Sequence, residues 1–155
     1  MINDLGFSHG KIDKKLIDDL ENELEVKFPE NYRKLLSEND YLDPEKSCFN
    51  YTEPSGDYNE NSFTYAGYNN DIYGDKVKYL NQDYKDYYKK IIRFGSTGNG
   101  DDLGFDYRGN ENEPTVVLIL HDWFYDQGEN IGKEWVVTLA ESFDDFIAKL
   151  YKPID

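Results

Sequence analysis

The stretch IIRFGSTGNGDDLGFDYRGNENEPTVVLIL, residues 91–120, decides how the rest of the chain is read. Ile91-Ile92-Arg93-Phe94 is an apolar run of strand length. Gly95, Gly98 and Gly100 follow within six residues, and glycine tolerates the backbone angles of tight turns. Leu103, Phe105 and Tyr107 then alternate with polar partners, as a half-buried strand does. Gly109-Asn110 turns the chain again, and Pro114 leads into Thr115-Val116-Val117-Leu118-Ile119-Leu120, a β-branched run suited to a central strand. Consecutive strands joined by short turns predict an antiparallel sheet.

Outward from this core, Trp135 to Leu139 reads as a last strand. Ser142 with Asp145 three residues on is a helix-capping pair. Phe143, Phe146, Ile147 and Leu150 give a C-terminal helix, stopped by Pro153. Towards the N-terminus, Ile12, Leu16, Ile17, Leu20 and Leu24 recur at helical spacing and predict an amphipathic helix over residues 11–25. Phe28-Pro29-Glu30 restarts a helix, with proline suited to its first position; Tyr32, Leu35 and Leu36 form its buried face, and Asn39-Asp40 ends it. Residues 40–75 are rich in Asn, Asp, Gly, Pro and Tyr and read as irregular, with one short strand around Phe63, Tyr65 and Tyr68. Gln82 to Lys90 reads as a helical turn or a loop. The predicted architecture is a single α+β domain over residues 1–155, its mainly antiparallel sheet packed against two N-terminal helices and one C-terminal helix.

The formal net charge is -15. A chain this acidic repels nucleic-acid phosphates and anionic membranes, so neither is an expected partner. Fourteen Tyr, nine Phe and two Trp supply a core, and the acids are spread along the chain with no acidic tail, so the charge belongs to a folded surface. It serves solubility, or it steers a basic partner. The N-terminus lacks a basic start followed by an apolar run, and the longest uncharged apolar run, Pro114 to Leu120, is strand-sized. With the single cysteine Cys48, which forms no internal disulfide, this fits a cytoplasmic protein.

The glycine-rich turn invites three chemical readings. It lacks G-x-x-x-x-G-K-S/T and G-x-G-x-x-G spacing, and Asp101 and Asp102 would repel a phosphate. Asn99, Asp101, Asp102 and Asp106 could offer oxygen ligands to a divalent ion, but the EF-hand pattern is absent and Asp and Asn beside glycine serve turns equally well. Two His and one Cys make no ordinary zinc site. Cys48 has no local base, so nothing marks it as a nucleophile. His121, after the apolar strand, either closes that strand by hydrogen bonding or belongs to a binding surface. No catalytic residue, metal or cofactor is expected.

Acids interleaved with aromatics recur over residues 57–73, 101–107 and 121–126. Aromatics give anchor area and carboxylates give charge complementarity. The expected partner-binding residues are Asp101, Asp102, Asp106, Tyr107, His121, Asp122 and Trp123. The partner is expected to be a basic protein.

The order of motifs resembles the SUKH superfamily, shared by bacterial toxin-immunity proteins and a fungal regulator of cell-wall glucan synthesis. The pieces are Leu24-x-Val26-x-Phe28-Pro29-x-x-Tyr32-x-x-Leu35-Leu36; Phe94-Gly95 through Gly98-x-Gly100-Asp101 to Phe105-Asp106; Pro114-x-Val116-Val117 to His121; and Ser142-Phe143-x-x-Phe146. The family's Asn-Gly-Gly after the second helix is here Asn39-Asp40-Tyr41, and the insertion that follows has no evident counterpart. The resemblance implies a non-catalytic cytoplasmic α+β domain that neutralises a cognate toxin, often a nuclease or deaminase, by protein–protein contact. A nuclease presents a basic cleft to phosphate, which an acidic protein can occupy. The alternatives are a regulatory adaptor linked to cell-wall synthesis and, more distantly, an acidic hydrolase using Asp101, Asp102 or Asp106 with a divalent ion.

Overall fold

The computed structural model of the protein describes residues 5–8, 10–68, 76–81, 90–124 and 134–154. Helix α1 (Lys14–Leu24) starts three residues later than the apolar spacing predicts, because the Asp13 side chain caps it by accepting from the Lys15 amide at 2.9 Å. It ends at Glu25 in the left-handed region, φ 60°. Helix α2 (Glu30–Glu38) has Pro29 as its N-cap rather than its first helical residue, and it buries Tyr32 and Leu36. Helix α3 (Val77–Leu80) is a single turn, and α4 (Phe143–Lys149) is capped as expected, the Ser142 hydroxyl accepting from the Asp145 amide at 3.1 Å.

Eight strands complete the described chain: β1 (Leu5–Ser8), β2 (Leu42–Pro44), β3 (Cys48–Thr52), β4 (Tyr58–Tyr65), β5 (Ile91–Thr97), β6 (Asp102–Asp106), β7 (Thr115–Phe124) and β8 (Glu134–Ala140). Their order is β1-β2-β4-β5-β6-β7-β8, with β3 joined to β4 alone, and every ladder is antiparallel. The α+β architecture, with two N-terminal helices and one C-terminal helix on a mainly antiparallel sheet, is the predicted one.

The middle of the chain corrects the sequence reading. Three strands, two of them paired as a hairpin, stand where an irregular segment with one strand was expected, and Tyr68 lies outside them. The β3–β4 hairpin closes through Glu53, whose amide donates to the Asp57 carbonyl at 2.8 Å, with Gly56 at φ 96°. Its register sets Thr52 against Tyr58, Asn50 against Glu60 and Cys48 against Ser62. Most of β4 has no buried apolar partner within its own sequence, so the alternation that marks a strand is missing there. The segment 82–89, expected as turn or loop, lies outside the described residues.

One face of the sheet packs on α2 and α4 through aromatics, and Ile17 and Leu20 of α1 join the same core. Phe94 and Phe105, both fully buried, stack at 4.3 Å and 21°, and Tyr32 meets Phe105 edge-on at 4.9 Å. Burying each such ring is worth roughly 1.5–3 kcal/mol. On the opposite face Ile91, Val117, Ile119 and Val136 form a second cluster. Strand β7 is therefore apolar on both faces, which is why its sequence reads as an unbroken hydrophobic run.

Two core hydroxyls, those of Tyr32 and Tyr65, are buried with no hydrogen-bond partner among the described residues. A buried unpaired hydroxyl is a cost without a return. Tyr65→Phe should therefore unfold at equal or higher urea, gaining up to about 1 kcal/mol. Tyr107→Phe should lose about 1 kcal/mol, because its hydroxyl donates to the Lys27 carbonyl at 2.6 Å. A Tyr65→Phe variant clearly weaker than the parent would show that the hydroxyl is satisfied after all.

Candidate functional site

The stretch from Gly98 to Asp101 is the turn of the β5–β6 hairpin, with Ser96 opposite Asp102. The Thr97 amide donates to the Asp101 carbonyl at 2.9 Å, and the Thr97 hydroxyl accepts from the Asp101 amide at 3.0 Å. Gly100, at φ 95°, takes the one left-handed position this turn needs. Asn99 ties the turn sideways, its side-chain oxygen accepting from the Asn61 amide group of β4 at 3.1 Å. The turn is thus built by its own backbone and by Thr97. Among the described residues, no group of three or more His, Cys, Asp or Glu side chains is arranged to hold a metal ion.

The expected contact residues of this hairpin occupy distinct surroundings. Asp101 is 4% exposed. Its charge is one reason the Tyr51 hydroxyl on β3 ionises above the ordinary tyrosine range, after the larger effect of burial. Asp102 accepts from the buried Arg93 guanidinium at 2.6 Å. Arg93 is itself fixed by Asn81, which accepts from its amide at 2.7 Å and donates to its carbonyl at 2.9 Å. Asp106 takes a forked pair of hydrogen bonds from Arg108, at 2.9 and 2.8 Å, and the Arg108 amide at 3.0 Å. Tyr107 is buried against Lys27.

Glycine permits the packing of this hairpin. A Cβ on Gly104 would lie 3.0 Å from the Ile91 side chain, and one on Gly95 only 2.8 Å from the Thr64 carbonyl. Strand β6 pairs with β7 from Asp102–Ile119 to Asp106–Thr115, so the hairpin holds the strand whose end, before Phe124, carries His121, Asp122 and Trp123. The backbone of these three residues continues β7; their side chains lie outside the described residues. The hairpin residues and the β7 end thus share neighbouring strands.

The structure adds one set that the residue-by-residue reading did not single out. Glu21, only 3% exposed, accepts from the Phe28 amide and from Arg33, which also reaches Asp18 at 2.7 Å. The isolated Glu at a helical interface gave no signal, because its partners are 7 and 12 residues away. The pair, Glu21 buried and Arg33 half-buried, ties α1 to α2 across their connection, and Glu21 also adds to the upward shift of Tyr107 just past β6.

Three buried phenols set an alkaline limit. Burial pushes Tyr32, Tyr65 and Tyr107 above their ordinary value of 10.0. The folded state holds these protons more tightly than the unfolded one, so their contribution is complete below pH 10 and is lost as pH rises beyond it. Stability should fall steadily above pH 10, and tyrosinate absorbance should show part of the fourteen tyrosines ionising only as the chain unfolds. A smooth titration of all tyrosines in the folded protein would contradict this.

The model of the SMI1 / KNR4 family (SUKH-1) matches residues 11–149, from the start of the helical layer to the end of α4. Neither a curated protein nor a solved structure matches the chain. The chain belongs to the SMI1/KNR4 (SUKH-1) family.

Proposed function

We propose that this member of the SMI1/KNR4 family is an immunity-type protein, which binds a cognate basic toxin domain and blocks it by occupying its phosphate-binding cleft. The observation that carries the reading is a net charge of -15 distributed over a folded α+β surface of this family. Such a surface attracts a cationic cleft and accelerates encounter with it. Family members are in general non-catalytic, which agrees with a binding role. Among the described residues no helix is long and apolar enough to cross a membrane, and the proposed site of action is the cytoplasm.

Within this reading the direct contact is proposed at His121, Asp122 and Trp123. Asp101, Asp102, Asp106 and Tyr107 have polar groups engaged inside the chain, so they are proposed to act mainly by fixing β6 and, through it, β7. The test is co-expression with the product of the adjacent upstream gene. Protection of cells from that product, with co-purification of the two chains, is the expected result. A folded protein that neither protects nor co-purifies would leave the regulatory adaptor reading in its place.

A further inference from the structure

Strand β4 carries a second feature that the proposed contact at the end of β7 does not use. Tyr58, Glu60, Ser62 and Thr64 occupy alternate positions of β4 and so share one face. The opposite alternation, Phe63 and Tyr65, enters the core. Tyr58 is 70% exposed, and it and Ile154 are the exposed large hydrophobic residues among those described. Beside it the Tyr151 hydroxyl donates to Glu60 and lies 2.5 Å from the Asn50 side chain, which fixes the Glu60 carboxylate on that face. Further along, a groove of about 330 Å³ opens between Asp43, Ser62, Thr64, Ser96 and Gly98. A Cβ on Gly98 would meet nothing within 4 Å, so that wall is open.

The segment that builds this face is mostly acidic. Asp43, Glu45, Glu53, Asp57 and Glu60 are all carried between positions 40 and 65, where Lys46 is the one basic residue. Glu45 is offset by Lys152 at 3.4 Å. A like-charged occupant is disfavoured there, which removes a second copy of this chain, a nucleic acid and an anionic membrane. A planar exposed ring next to carboxylates is the arrangement that receives a guanidinium or the stem of a lysine.

We propose that the outward face of the β3–β4 hairpin, from Tyr58 to the groove at Asp43, is a docking surface for a Lys- or Arg-bearing segment of a partner protein. Tyr58 stacks on one cationic side chain, Glu60 faces its charge, and the groove takes a second cationic head against Asp43. This rests on the reading that the chain binds a basic protein, and it adds where a second part of that protein sits.

The probe is a nona-arginine peptide titrated into the 15N-labelled full chain at about 150 mM salt, where only close charges act strongly. Amide shifts should concentrate at residues 41–43, 58–64 and 96–98. The triple variant Asp43→Asn, Tyr58→Ala, Glu60→Gln should weaken binding about tenfold or more, as loss of an aromatic anchor does. The double variant Asp19→Asn, Glu141→Gln removes the same number of charges from exposed sites elsewhere; it should change affinity less than about twofold, as an uninvolved rim charge does. Shifts elsewhere, or equal weakening by both variants, would overturn this surface and leave the basic-partner reading intact. Absence of any binding by the parent would overturn both.

Discussion

Phe105→Ala should be among the most destabilising single substitutions in this chain, costing about 3–5 kcal/mol. Phe105 is fully buried, stacks on Phe94 at 4.3 Å, and meets Tyr32 and Phe143 edge-on at 4.9 and 5.8 Å. Those neighbours come from β5, α2 and α4, three elements fixed by separate hydrogen-bond networks. They cannot close together over the missing ring, so the cavity stays open and the transfer loss is paid in full. A domain has only about 5–15 kcal/mol of net stability, and each kcal/mol moves the midpoint by roughly 2–4 °C at this size. A drop on the order of 10 °C follows. The control is Tyr58→Ala, which removes a similar ring at 70% exposure and should stay within about 0.5 kcal/mol. A Phe105→Ala loss below about 1.5 kcal/mol would mean that the aromatic layer repacks.

What made part of this fold readable is visible in β7 and α4. Val116 and Leu118 face one cluster while Val117 and Ile119 face the other, so every residue of the run is apolar and the strand announces itself. Helix α4 is marked by a local signal, Ser142 capping the Asp145 amide. The β3–β4 hairpin has no such signal. Its outward residues are Tyr58, Glu60 and Ser62, and asparagine and glutamate favour strands poorly. It is held instead by pairing with β3 and by the Cys48 and Tyr151 backbones, which exchange hydrogen bonds at 3.0 and 3.1 Å across a hundred residues of chain. Contacts that distant leave no local pattern to read.

Distant partners likewise decide the role of Asp102 and of the end of α2. Asp102 looks like a free surface acid in sequence, yet the β5–β6 register, with its irregularity between Arg93 and Gly95, brings it to the buried Arg93. Asn39-Asp40 reads as a helix stop, and it is one. In the fold it is also a junction: Asn39 accepts from the Ser8 hydroxyl at 2.7 Å, the Asp40 amide donates to the Gly10 carbonyl at 2.7 Å, and Asp40 accepts from the Tyr68 amide at 2.6 Å. A Cβ on Gly67 would sit 1.9 Å from the Asp40 carbonyl oxygen, so the junction needs glycine at a position that no local pattern marks.

Replacing Asp122 by Asn and Trp123 by Ala is expected to weaken partner binding about 100-fold, within the range of a tryptophan hot spot with a charged neighbour. The backbone supports this choice. Leu120 still pairs with Trp135, but the next pair is Phe124 with Glu134, so the ladder is irregular across the three residues between them. A register break of this kind interrupts pairing and re-aims side chains, as such irregularities do beside functional sites. The two substitutions should act differently. Asp122→Asn should slow association and flatten its salt dependence, because a rim carboxylate works through long-range attraction. Trp123→Ala should speed dissociation, because it removes buried contact area once the complex has formed. If the proposed interface is right, both variants should unfold within about 1 kcal/mol of the parent, as surface substitutions do. Surface-plasmon kinetics against the purified partner, read beside urea unfolding, separate the cases. Unchanged rates in folded variants would move the interface away from β7, and a large loss of stability on Trp123→Ala would assign that ring to the core instead.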